Sequence, residues 1–148
     1  MEQASTPKQI LIVAYRTAAT IPLRDAVRQR ARREPSEFTL LVPRDPVDDP
    51  DTESPARALE IALPLIEDAA GASVEGRLGD SDPLLAIREV AGERRFDEVI
   101  ISTLPERVSR WLRRDLPRRV REELGLPVTQ VVADRPTVFP ARIGYFDA

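Results

Sequence analysis

Two short stretches of this chain carry side chains that could grip an anion. Arg16 and Thr17 follow an apolar run, QILIVAY at 9–15, while Ser102 and Thr103 close a second run, EVIIST at 98–103. Ser109 and Arg110 lie a little further along, inside a segment crowded with arginine: Arg107, Arg110, Arg113, Arg114, Arg118, Arg119 and Arg121. Hydroxyl and guanidinium groups hold phosphate or carboxylate oxygens through charge-assisted hydrogen bonds. In α/β folds such ligands sit where a strand gives way to a helix. Arg16, Thr17, Ser102, Thr103, Ser109 and Arg110 are therefore the candidate ligand contacts, if both strand ends share one edge of a sheet. The competing role for the hydroxyls is to cap helix starts and turns. On a helix Arg107, Arg110 and Arg114 would share one side. That side is either a clamp for an anionic small molecule or nucleotide, or a solvated face balanced by Glu106, Asp115, Glu122 and Glu123.

The rest of the inventory removes chemistry. The chain has no histidine and no cysteine, which excludes a Ser-His-Asp triad, a His/Cys zinc site, disulfides and a thiol nucleophile. Arginine stays protonated and is poorly suited to proton transfer. The HxGH signature of nucleotidyl transferases and an SGGxDS pyrophosphatase loop are both missing. No base–nucleophile pair can be assembled, so no catalytic residue is assigned and the chain is not expected to be an enzyme. Asp45, Asp48, Asp49, Asp51 and Glu53 sit among Pro46 and Pro50, without the turn-permitting glycine of a calcium loop, so no metal site is expected. A net charge of −3 argues against nucleic acid as a partner. The polar start MEQASTPKQ and the lack of any long apolar run point to a cytoplasmic protein without a membrane segment.

The elements that must position these residues alternate. Strands are predicted at 9–15, 38–42, 73–78, 99–102 and 128–132. The first is nearly continuous in apolar residues, as expected of a strand buried on both faces. Helix starts are written at Thr20–Pro22, Ser54-Pro55 and Asp82-Pro83, with stops at Glu34-Pro35, Gly71 and Gly92. Leu23, Ala26, Val27 and Arg30 recur at helical spacing in the first helix. In the second, Pro64 is expected to kink or break the run. Residues 106–124 are helical in part, interrupted near Pro117. There Val108, Trp111, Leu112 and Leu116 form a core-facing side. The pattern gives an α/β fold: a five-stranded, mainly parallel sheet flanked by helices in a three-layer α/β/α sandwich. Strand order is not readable from it. Residues 1–133 form the domain. The tail 134–148, with Phe139, Ile143, Tyr145 and Phe146, is expected to pack on the domain or on a dimer mate.

The order of elements, with GDSDPLLAI at 79–87, FDEVIIST at 96–103 and GLPVTQVV at 125–132, resembles the universal stress protein family over residues 8–133. The resemblance implies a five-stranded parallel sheet and a homodimer formed through the last strand, here Val128–Val132. It also implies, for some members, ATP held by a pattern after the fourth strand: Gly, two residues, Gly, nine residues, then Gly and Ser or Thr. Laid on this chain from Ser102, the pattern falls on Ser102, Pro105, Asp115 and Leu116, and every position is changed. The aspartate that such members tend to carry at the end of the first strand is replaced by Ala14, Tyr15 and Arg16. Pro105 has no N–H to offer a phosphate, and Asp115 would bring a like charge. The expectation is a non-catalytic binding or regulatory module whose ATP loop is degenerate, with no cofactor. The alternative is a stress-response protein that holds ATP or another adenine nucleotide by its arginines.

Overall fold

The computed structural model describes residues 6–44, 54–105, 110–113 and 115–133, without the side chains of Arg110 and Arg113. Five strands, β1 (Lys8–Val13), β2 (Ser36–Pro43), β3 (Glu75–Gly79), β4 (Glu98–Thr103) and β5 (Val128–Val132), form one sheet in the order β3-β2-β1-β4-β5. All four pairings are parallel. Helices α1 (Ile21–Arg33) and α2 (Pro55–Ala70) cover one face, while α3 (Pro83–Glu93) and α5 (Leu116–Leu124) cover the other; α4 (Arg110–Arg113) is a single turn. The acidic stretch within 45–53, the arginines Arg107 and Arg114, Ser109, and the tail 134–148 lie outside the described residues.

Strand alternation divides the core in two. In β1 and just beyond it, Ile10, Ile12 and Ala14 join Leu23, Val27, Ala62 and Ile66 on the α1/α2 side. Leu11 and Val13 join Leu84, Ile87, Val90, Leu116 and Val120 on the α3/α5 side. The expected two-faced burial of the first strand is therefore present, although β1 ends at Val13 rather than Tyr15.

Local chemistry sets the helix ends. Ser54 accepts a hydrogen bond from the Arg57 amide and Asp82 accepts from those of Leu84 and Leu85, each cap being followed by proline. Gly71, at φ 75°, closes α2 and donates its N–H to the Glu67 carbonyl. Pro64 does not break α2, which runs on to Ala70 with the proline on its exposed side. Gly79 lets α3 lie close against β3, since a Cβ there would come within 2.7 Å of the Ala86 Cβ.

Arg30 departs from its stripe-mates. It occupies a core position of α1, 4% exposed, and its Nε and Nη2 donate to both oxygens of Glu98 at 2.8 and 2.9 Å. Nη2 also donates to Glu34 at 2.8 Å. The bidentate fork ties the end of α1 to the start of β4. Hydrogen bonding to Glu98 holds the guanidinium pKa above its ordinary value, against the opposing effect of burial. Arg30→Ala should lower stability by about 3 kcal/mol, because Glu98 would stay partly buried without its partner. Glu98→Gln, which keeps an acceptor, should cost about 1 kcal/mol. Urea denaturation of both variants measures the difference, and equal small losses would contradict it.

Between α4 and α5, Asp115 takes a left-handed conformation at φ 61°, ψ 38°. It is the one non-glycine residue with positive φ among the described residues. Its carboxylate is held by Arg118. Aspartate tolerates this region better than most residues, whereas a Cβ without a local partner costs about 1 kcal/mol there. Asp115→Ala should therefore lower the unfolding free energy by about that amount, and Asp115→Gly should stay within about 0.5 kcal/mol of the parent. Thermal and urea denaturation of the pair decide it.

Candidate functional site

Sheet order makes the ends of β1 and β4 neighbours. From β1 the chain leaves toward α1 on one face; from β4 it leaves toward α4 and α5 on the other. This divergence is a topological switch point, where open α/β sheets place ligands outside the carboxyl ends of the strands. The structure thus brings Arg16 and Thr17 to the same edge as Ser102 and Thr103.

The hydroxyls there face inward. Thr17 Oγ1 and Ser102 Oγ lie 2.6 Å apart, at 2% and 1% exposure, and either can donate to the other. Ser102 follows Ile100 on the α1 side of β4, which is why it meets the turn leading into α1. That turn is tight: the Ala18 amide donates to the Tyr15 carbonyl and the Thr20 amide to the Thr17 carbonyl, both at 3.2 Å. Thr20 Oγ1 donates to the same Thr17 carbonyl at 2.9 Å, so it stabilises the turn and does not cap α1 with its side chain. Ala14 and Ala18 are buried beneath, with Tyr15 and Ala19 packed against the same core.

Thr103 belongs to the opposite face of β4. It is 2% exposed, and its Oγ1 has no hydrogen-bond partner. Arg16 is exposed at the rim. Ser109 lies outside the described residues, as does the side chain of Arg110, whose backbone opens α4. Leu104 and Pro105 are half-buried.

Three of the four positions on which the glycine pattern falls are engaged within the chain. Ser102 is bonded to Thr17, Asp115 to Arg118, and Leu116 is 3% exposed within the α3/α5 core. Trp111 packs partly buried against that core, as the sequence suggested. On α5 the arginines are balanced by acids. Arg118 pairs with Asp115 and Glu122, and Arg119 and Arg88 both pair with Glu123. Hydrogen bonding from Arg88 holds the Glu123 carboxyl below its ordinary range. This part of the arginine run is a solvated, internally neutralised face. Among the described residues no helix is long and apolar enough to cross a membrane, and no group of three or more acidic residues is placed to hold a metal ion.

Sequence reasoning missed two features. The Thr17–Ser102 bond joins residues 85 positions apart, and nothing local announces it. The Arg30–Glu98 pair did leave a signal, a charge placed on an apolar helical stripe, which demands a buried partner.

No protein-family model matches the sequence, and no curated protein does. Solved structures do match. A universal stress protein from Archaeoglobus fulgidus is 17% identical, with a TM-score of 0.59 over 84% of this chain and 93% of its own. The universal stress protein from the same organism in complex with dAMP gives 17% identity and a TM-score of 0.57, covering 85% and 98% of the two chains. A universal stress protein in complex with cAMP gives 15% and 0.56, covering 86% and 98%. Identities this low speak for architecture: the chain has the fold of the universal stress proteins.

Proposed function

We propose that this protein is a divergent universal stress protein that works as a non-catalytic binding or regulatory module, homodimeric through β5, with its ATP loop degenerate. One observation carries the reading: the positions where the glycine pattern would serve a phosphate are occupied by groups already satisfied inside the protein, Ser102 by Thr17 and Leu116 by the core. A ligand would have to displace those contacts before using the positions.

The two sheet edges support the dimer. At β3, Arg77 pairs with Glu93 and Arg94 with Glu75, and charges along an edge discourage strand addition. At β5 the sequence VTQVV carries no charge, and Val132 is 46% exposed. Because the Ala133 amide points at Thr103 of β4, strand alternation turns the Gln130 and Val132 backbone groups outward. Such an open, uncharged edge fits a second copy of the chain. Light scattering should give about twice the 16.6 kDa chain mass, and Gln130→Pro should halve it while leaving the far-ultraviolet spectrum unchanged. A parent protein that is monomeric at micromolar concentration would overturn the interface.

A second reading is favoured by two relatives in fold, which were solved with cAMP and dAMP. In it this chain holds ATP or another adenine nucleotide at the same carboxyl edge, with arginines replacing the lost glycine amides. Calorimetric titration with Mg-ATP, AMP and cyclic AMP separates the two. Our first reading expects no binding in the micromolar range. Micromolar binding that Arg110→Ala abolishes would replace it with the second.

A further inference from the structure

The buried Arg30–Glu98 pair is built in a way that stability does not account for. Glu98 accepts from Nε and Nη2 of Arg30, and Glu34 accepts from Nη2 as well, while Nη1 is buried with no hydrogen-bond partner. A buried ion pair with a donor left over is, as a rule, no more stabilising than apolar side chains of similar volume. Its effect lies in what it excludes. Glu98 is the first residue of β4 and stands opposite Ile10 of β1. It faces the α1/α2 side, as do Ile100 and Ser102, whereas Val99 and Ile101 face α3 and α5.

A slip of β4 by one residue along β1 would turn every side chain to the wrong face, and the apolar pattern forbids it. A slip of two residues keeps the faces. Opposite Ile10 it sets Phe96 or Ile100, both apolar, where Glu98 stands. Hydrophobic burial discriminates poorly among these registers. The ion pair discriminates well, because a two-residue slip carries the Glu98 carboxylate about 6.6 Å along the strand and strands a buried guanidinium. We infer that Arg30 and Glu98 form a register lock for the central strands β1 and β4. Two further contacts depend on the same register, Asp97 with the Gln9 backbone and Ser102 with Thr17. Asp97 is half-buried and Ser102 is neutral, so breaking either costs less than stranding Arg30. The lock also reaches the carboxyl edge. Ser102 lies on the same strand and the same face as Glu98, and a slip that frees Glu98 takes Ser102 off Thr17. Arg30 and Glu98 are in this sense positioning residues for the candidate site at the far end of β4.

The test replaces both partners at once in the full chain, Arg30→Met with Glu98→Leu, and sets this double variant beside the parent. Urea denaturation reads stability, and cross-strand contacts in NMR spectra read the register. The double variant should unfold at a urea midpoint equal to or above that of the parent, since no buried charge is left behind. It should also show a second set of β4 amide signals, in which Leu11 contacts Asp97 or Ile101 in place of Val99. That set should account for about one molecule in ten or more, against fewer than about one in a hundred in the parent. A double variant that fails to fold, or whose midpoint falls clearly below the parent's, would overturn the lock, because the pair would then be a plain stabiliser. A folded double variant with a single set of signals, and Leu11 still against Val99, would overturn it equally.

Discussion

The pairing of β1 on both of its flanks is the constraint on which the rest of the structure depends. Residues 8–13 pair with 36–41 of β2, and residues 10–13 pair with 98–101 of β4. Ile10 through Ala14 are fully buried, so neither the backbone nor the side chains of this segment meet water. A strand with no solvent face must satisfy every inner N–H and C=O in the sheet ladder. It must also present apolar groups above and below. Once it is placed centrally, the helices after β1 and β4 have to leave on opposite sides, and the switch point follows. The site is a consequence of burying ILIVA.

Much of this was legible. Ser54-Pro55 and Asp82-Pro83 announced helix starts, because cap and first-turn proline are local chemistry. Four of the five strands stood out as apolar runs and the third as a short alternation, and their parallel arrangement followed from the intervening helices. Strand order did not stand out, since EVIIST and FTLLV read alike and a pairing partner leaves no mark in an apolar run. The site inherited that blindness. Thr17 and Ser102 could be nominated for one edge, but their mutual bond depends on the order β1-β4 and on which face each side chain takes. Pro64 leaves α2 unbroken because a proline on the solvent side of a long amphipathic helix costs a hydrogen bond that tertiary packing outweighs.

The arginine segment shows how composition and structure divide the work. Seven arginines between 107 and 121 offered either an anion clamp or a solvated face balanced by neighbouring acids. Along α5 their charge is cancelled within a turn or two by Asp115, Glu122 and Glu123. These pairs are exposed, so each contributes little to stability. Their effect is on what the surface attracts. An α5 face neutralised in this way offers little steering to an anion.

Polar groups at a buried strand end are costly unless they find partners. Three of the four positions on which the glycine pattern falls are engaged within the chain. Ser102 bonds Thr17, Asp115 pairs with Arg118, and Leu116 lies in the core. Asp115 holds a backbone conformation that glycine adopts without strain, and its pairing with Arg118 accompanies that conformation. Thr103, outside that pattern and on the opposite face of β4 from Ser102, is the one buried side-chain oxygen without a partner among the described residues. An unsatisfied hydroxyl there costs about 1–3 kcal/mol, so the end of β4 is strengthened by Ser102 on one face and weakened by Thr103 on the other.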